Sequence, residues 1–226
     1  GQGVLDFEWD ATVIHSEPGR MRLQVTPADG IHMVIRSTDP TDYIHNIRVI
    51  MPGFEDTYTT QPFHPSYVEF LRHFRLLRMK DLGEIDTAAP GSWPQRVRPT
   101  SATQASDRGV ALEHIIELAN AVEAEPWFCV PHTADDAYVD SMATMIRDRL
   151  DPSLSFHLEY SNEVWNGIYP QHWYARQRGM ELGLHTSDDF IAALRFHAQR
   201  SVEIFQRFEA VFGNTDRFTR VIGGWQ

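Results

Sequence analysis

The strongest constraint on this chain is a change of period. From Val4 to Met51 apolar residues recur in short runs, "VLDFEW", "ATVIH", "RMRLQV", "IHMVIR" and "NIRVIM", separated by the turn formers "EPG", "PADG" and "TDPTD". Met21, Leu23 and Val25 alternate with Arg20, Arg22 and Gln24, as a strand with one wet face requires. This succession predicts a β-sandwich or a portion of one. The segment "PGFEDTYTTQPFHPS" breaks the rhythm, so a boundary is expected between Pro52 and Pro65, with domains over 1–58 and 59–226.

Past that segment strands and helices take turns. Ser66 followed by Glu69 is a capping-box pattern for a short helix through Phe70, Leu71 and Phe74, and "RLLRMKDL" reads as a strand. The loop "GEIDTAAPGSWPQRVRPTSATQAS" follows, holding Trp93, Arg96 and Arg98; loops this long in compact domains are functional or disordered. A helix is expected from about Asp107, then the strand "PWFCVPH", and a helix capped by Thr133 and Asp136 with Val139, Met142, Ile146 and Leu150 on its apolar face. The strand "SFHLEYSNE" comes next, then two helices, the second from about Ser187, and a last strand "RVIGGWQ".

Repeated βα units imply a parallel sheet covered by helices. Four such strands are visible, where a complete (β/α)8 barrel has eight and takes about 250 residues. The expected fold class is therefore α/β, an N-terminal antiparallel β-sandwich portion followed by a partial (β/α)8 barrel. A sequence ending on a strand would leave an open parallel edge. The remaining half of the barrel is accordingly expected as further sequence or as a second chain, and the opening "GQGVLDFEW" also reads as the inside of a strand region.

Composition narrows the partners. At 226 residues and 42% hydrophobic the chain can bury a core, and its net charge of -11 with pI near 5.4 argues against nucleic acid, which needs clustered Lys and Arg. Lys80 is the single lysine among the 20 basic residues, which reads as compositional bias or as a functional amine at a strand end. The single cysteine, Cys129, allows no internal disulfide and sits in the apolar run "PWFCVP", as a buried thiol does. No apolar run is long enough for a membrane span, and no cleavable signal opens the chain. There is no HExxH, G-x-G-x-x-G or Walker loop, so neither a metal nor a nucleotide cofactor has motif support. In "HTADD", Asp135 and Asp136 beside His132 suit a helix start.

In α/β proteins the ligand face lies at the carboxyl ends of the strands. Those ends carry Lys80 and Asp81, His132, Asn162 and Glu163, and Trp225 and Gln226. Such residues suit carbohydrate, with carboxylates and amides for hydroxyls and indoles for the apolar faces of sugar rings. In "FHLEYSNEVWN", alternation places Phe156, Leu158 and Tyr160 on one side of a strand and His157, Glu159, Ser161 and Glu163 on the other.

The run "YSNEVWNG" resembles the acid/base motif of clan A glycoside hydrolases, in which an Asn-Glu pair ends the fourth strand of a (β/α)8 barrel. The wider pattern, from "NIRVIMPG" through "LLRMKDL", "WFCVPHTADDAYV" and "LDPSLSFHLEYSNEVWNGIYPQ", is similar to cellulase-like, cellulose-binding bacterial proteins that join a β-sandwich to such a barrel. The resemblance implies that Glu163 is the general acid and base and that Asn162 bonds the sugar 2-hydroxyl. It places His132, Trp165 and Trp225 along subsites. Apart from the resemblance, Asp81 at the tip of the first strand could approach across the barrel mouth; the family pattern offers it no nucleophile role, and it reads as a substrate or orienting residue, with Trp93 of the long loop as a further substrate contact. The resemblance implies no metal or cofactor, a polysaccharide or oligosaccharide partner such as cellulose or a related β-glucan, and an extracellular or periplasmic location. The nucleophile of retaining members is a second Glu at the end of the seventh strand, beyond this sequence.

A retaining pair of carboxyl groups stands about 5 to 5.5 Å apart and an inverting pair about 6.5 to 9.5 Å. On one extended strand Glu159 and Glu163 would be about 13 Å apart, which sets Glu159 aside. Trp93, Trp165 and Trp173 can equally be core or loop anchors. The alternative to an enzyme is a carbohydrate-binding or structural protein on a degenerate barrel. It would keep the aromatic walls and lack a working pair of carboxylates.

Overall fold

The computed structural model describes residues 1–87, 91–213 and 216–223. The chain divides into two compact units, Gly1–Pro62 and Phe63–Gln226. In the first, β1 (Gly3–Trp9) pairs antiparallel with β4 (Ile31–Thr38), and β2 (Ala11–Glu17) pairs antiparallel with β3 (Arg20–Val25). Each pair is a separate two-stranded sheet. The β2–β3 turn uses Gly19 at φ 77°, where a side chain would be strained. Asp10 ties off the other end of the ribbons, its carboxylate accepting from the backbone N–H groups of Asp29 and Gly30.

Asn46–Met51, expected as a strand, forms none. No described strand offers its backbone as a partner, and Val49 stays exposed. Ala11 is the one buried apolar residue described in this unit. Backbone pairing therefore holds its strands more than a core does.

The second unit opens with α1 (Pro65–Leu71), capped not by Ser66 but by His64, whose Nδ1 accepts from the Ser66 N–H, with Pro65 pre-setting the first turn. Four parallel strands follow in chain order: β5 (Leu76–Arg78), β6 (Glu125–Val130), β7 (Phe156–Tyr160) and β8 (Phe218–Val221). Between them run α2 (Leu112–Val122), α3 (Asp136–Arg149), α4 (Pro170–Glu181) and α5 (Asp189–Phe212). The expected start of α2 at Asp107 moves to Leu112. The preceding residues are tied to the β5–α2 loop, with Val110 N–H donating to Leu82 O and Gly109 at φ 74° against Leu82 and Gly83.

Alternation on the strands decides the two faces of this sheet. Phe128 and Val130 of β6, Phe156, Leu158 and Tyr160 of β7 and Phe218 of β8 join Ile116, Val139, Ile146, Ile204 and Phe208 of α2, α3 and α5 in one core. Helices thus cover that face. The opposite face carries Arg78, Trp127, His157 and Thr219 as one register row, with Cys129, Glu159 and Val221 as the next. At the α4–α5 crossing, a Cβ on Gly179 would come within 2.3 Å of Ala192 O, so the helices meet there with no room for a side chain.

Candidate functional site

The polar face of the sheet builds the site from below. Arg78 lies over the Trp127 ring at 4.7 Å, and Trp127 stacks on His157 with ring centroids 5.8 Å apart. One row up, Glu159 is 3% exposed on its side chain, yet it is well partnered. Its Oε2 accepts from Arg78 Nη2 at 2.7 Å, Trp127 Nε1 at 3.0 Å and Cys129 Sγ at 3.6 Å. Burial works against the Arg78 charge, but Glu159 raises the guanidinium pKa above its ordinary value. Burial pushes the Cys129 thiol up, so it stays protonated and inert as a nucleophile. Gly223 lies where a Cβ would approach Glu159 Oε1 to 2.8 Å, so a side chain there would have to displace that carboxylate oxygen.

Arg78 carries the network to the strand tips. Its Nη2 also donates to Asn162 Oδ1 at 2.9 Å, while Asn162 Nδ2 donates to Asp86 Oδ1 at 2.7 Å. The same Asp86 oxygen accepts from Gln171 Nε2 at 2.7 Å, and Gln171 Nε2 donates further to Asn162 O at 2.9 Å. Lys80 closes the circuit through a short ion pair with Asp86 Oδ2 and a second contact to Asp81 at 2.9 Å. Burial pushes the Asp86 carboxyl up, but the hydrogen bonds from Lys80, Asn162 and Gln171 outweigh it and hold the pKa below the usual Asp value. Burial likewise pulls Lys80 down, and the bonds to Asp86 and Asp81 outweigh it and raise the amine. Both groups are charged at neutral pH.

Glu163 sits beyond the strand. β7 ends at Tyr160; Ser161 then takes φ 63° and Glu163 φ 39°, left-handed conformations that cost non-glycine residues about 1–3 kcal/mol and gather at functional sites. The extended-strand separation of Glu159 and Glu163 therefore does not describe this pair. The Ser161 N–H donates to Val130 O at 2.8 Å, anchoring the turn to β6. Glu163 is half-buried and its Oε2 accepts from Asn166 Nδ2 at 2.9 Å, while Asn166 N–H donates to Glu163 O at 2.8 Å. This small loop presents a carboxylate next to a buried amide.

Around them, His132 is buried edge-on to Tyr174, with burial lowering its pKa against the opposing pull of Asp86, so the ring is neutral. Three buried polar atoms at the site, His132 Nδ1 and Ser161 Oγ past the strand ends and Gln171 Oε1 on α4, have no hydrogen-bond partner among the described residues. Buried polar atoms normally find a partner, so these are suited to water or to a ligand's hydroxyls. Asp81 is 90% exposed on its side chain and meets the site through Lys80. Trp165 is half-buried in the loop after Glu163, and exposed Trp173 donates from Nε1 to Gly167 O at 3.0 Å.

Trp93 lies edge-on to Tyr138 and under Arg96, which makes a bidentate pair with Glu113 at 2.8 and 2.9 Å. Its surroundings are those of a loop anchor. Trp225 and Gln226 lie outside the described residues. A cavity of about 50 Å³ beneath the β5–α2 loop, lined by Met79, Ile85, Val97, Phe128, Cys129 and Met142 among others, has room for water but not for a sugar ring. No group of three His, Cys, Asp or Glu side chains among the described residues is placed to hold a metal ion, and no described helix is long and apolar enough to cross a membrane.

No family model, curated protein or solved structure matches this chain. The case for function therefore rests on the site itself. Asp86, Gln171 and Arg78 are not among the residues expected there from sequence, and Glu159, set aside on strand spacing, belongs to the network. One signal is Lys80, the lone lysine at a strand tip, which is the partner that holds Asp86.

Proposed function

We propose that this protein is of the glycoside-hydrolase type, acting on O-glycosidic bonds of a β-linked glucan with Glu163 as general acid and base. The observation that carries the reading is the pairing of a half-buried Glu163 with a buried, fixed Asn162 just past the carboxyl end of β7. Glu163 would protonate the leaving glycosidic oxygen and then take a proton from the attacking water. Asn162 would bond a sugar hydroxyl as charge develops at the anomeric carbon, and Trp165 and His132 would border the ring. Strand order that runs one way across the sheet, with helices on one face, supports reading the second unit as part of a (β/α)8 barrel whose interior is the polar face. The antiparallel ribbons are read as a portion of a β-sandwich.

A retaining mechanism needs a second carboxylate about 5 to 5.5 Å from the first. Glu159 is engaged by Arg78, Trp127 and Cys129, and Asp86 by Lys80, Asn162 and Gln171. Neither is offered to a substrate; the resemblance to clan A enzymes would put the nucleophile at the end of a later strand, beyond these 226 residues. The same engagement favours a second reading, a carbohydrate-binding protein without turnover.

One experiment separates the two. Soluble β-glucan oligosaccharides are incubated with the complete protein, including the further sequence or second chain that would carry the nucleophile, and reducing ends and binding are followed in parallel. The enzyme reading expects reducing ends that vanish in Glu163→Gln while binding persists. Binding without reducing ends in the unaltered protein leaves the second reading, and neither binding nor release rejects both.

A further inference from the structure

The carboxylate of Asp86 meets two side-chain amides at one oxygen and the only lysine of the chain at the other. An amide can sit either way round, and its neighbours decide which end donates. For Asn162 both ends are decided by charge: Arg78 takes the oxygen and Asp86 takes the nitrogen. For Gln171, Asp86 Oδ1 and Asn162 O are both acceptors, so the nitrogen must face them and Oε1 is turned away, an acceptor with no partner among the described residues. Reversing either amide would bring its oxygen against a carboxylate.

We propose that Asp86, held in place by Lys80, is a positioning residue that fixes which way the Asn162 and Gln171 amides present their donors and acceptors to the site. This rests on the glycan reading only for its consequence in catalysis. Asp86 itself touches no substrate. With its charge in place, Asn162 keeps one N–H and one oxygen lone pair for a ligand hydroxyl, and Gln171 keeps an acceptor. Without it, Asn162 keeps the Arg78 bond to its oxygen but loses the anion that holds its nitrogen beside Glu163.

The test has a readout that needs no glycan. In the ¹⁵N-labelled protein, side-chain amide signals of Asn162 and Gln171 should be shifted from free-amide positions and exchange with solvent slowly. Asp86→Ala should return both toward free positions and speed exchange by about tenfold or more, as expected for loss of a charge-assisted bond. Asp86→Asn, which conserves volume, should move the signals in the same direction and serves if the alanine variant does not fold. Lys80→Met should leave both amides protected at neutral pH, while the acid midpoint at which their shifts change moves up toward the ordinary Asp value. Unchanged amide signals in a folded Asp86 variant overturn the proposal, and an unmoved midpoint in Lys80→Met removes Lys80 from it.

Where the unaltered protein hydrolyses a β-glucan oligosaccharide, Asp86→Ala should lower kcat by about 10- to 100-fold with KM changed less than about threefold. Normal kcat there overturns the link from Asp86 to the site. If the unaltered protein neither binds nor cleaves glycans, the glycan reading fails, and the amide signals still decide the role of Asp86.

Discussion

Arg78 and Glu159 form the deepest ion pair of the site, and a double-mutant cycle should measure their coupling. Glu159 is 3% exposed on its side chain and Arg78 37%. Removing the arginine by Arg78→Met keeps much of the stem but leaves a buried carboxylate with Trp127 and Cys129 as its remaining donors. Breaking a buried pair in this way costs about 3–5 kcal/mol, and partial exposure of Arg78 lets water into the vacated space, so about 3 kcal/mol is expected. Glu159→Gln leaves the cation instead, which can reach water, and should cost about 1.5 kcal/mol.

If the two charges act on each other, removing both should cost about 3 kcal/mol rather than the sum, a coupling of about 1.5 kcal/mol. Urea unfolding followed at 222 nm reports on the second unit, because all the described α-helices lie in it. A coupling below about 0.5 kcal/mol would refute the reasoning, since additive costs are the mark of independent sites. Equal costs for the two single variants would show that water reaches Glu159 as readily as Arg78.

Two further outcomes follow from the same network and its packing. The folded pKa of Asp86 is depressed, so its contribution to stability is present above about pH 4 and lost as pH falls through the folded value. That of Lys80 is raised, so its contribution is present below about pH 10.5 and lost as pH rises through the folded value. Urea titrations across pH should therefore show a plateau between these limits, and Lys80→Met should flatten the alkaline fall. On the helix-covered face, Phe156 is fully buried against Phe128, Phe208, Phe212 and Phe218. Phe156→Ala should cost about 3–5 kcal/mol by the same urea assay, and a cost under about 1 kcal/mol would place that ring outside the core.

Local chemistry makes some of this legible and leaves the rest hidden. The apolar side of β7 can be read because Phe156, Leu158 and Tyr160 repeat with the period of a strand, and α3 and α5 because their apolar residues repeat with that of a helix. The end of β7 cannot. Ser161 and Glu163 take left-handed backbone without being glycine, and such strain is imposed by surroundings rather than announced by residue type. The start of α2 is hidden for a similar reason, because a hydrogen bond from Val110 back to Leu82 competes with the first helical turn.

The site shows the same division more sharply. Asn162 and Glu163 are neighbours in sequence, and a motif can point to them. Asp86 and Gln171 are 76 and 9 residues from Asn162, and only the folding of the β5–α2 loop over the strand tips puts Asp86 between them and Lys80. Glu159, by strand spacing alone, is a carboxylate too far from Glu163 to work with it. Its partners come from β5 and β6, and the row that joins them exists only once strand order and register are fixed. A charged residue on the inner side of a parallel strand is costly unless paired, so Glu159 in "FHLEY" already demands a cation from a neighbouring strand. In "RLLRMKDL" Arg78 and Lys80 share one side of the alternation, with Arg75 on the other, and register assigns Arg78 to Glu159 and leaves Lys80 for Asp86.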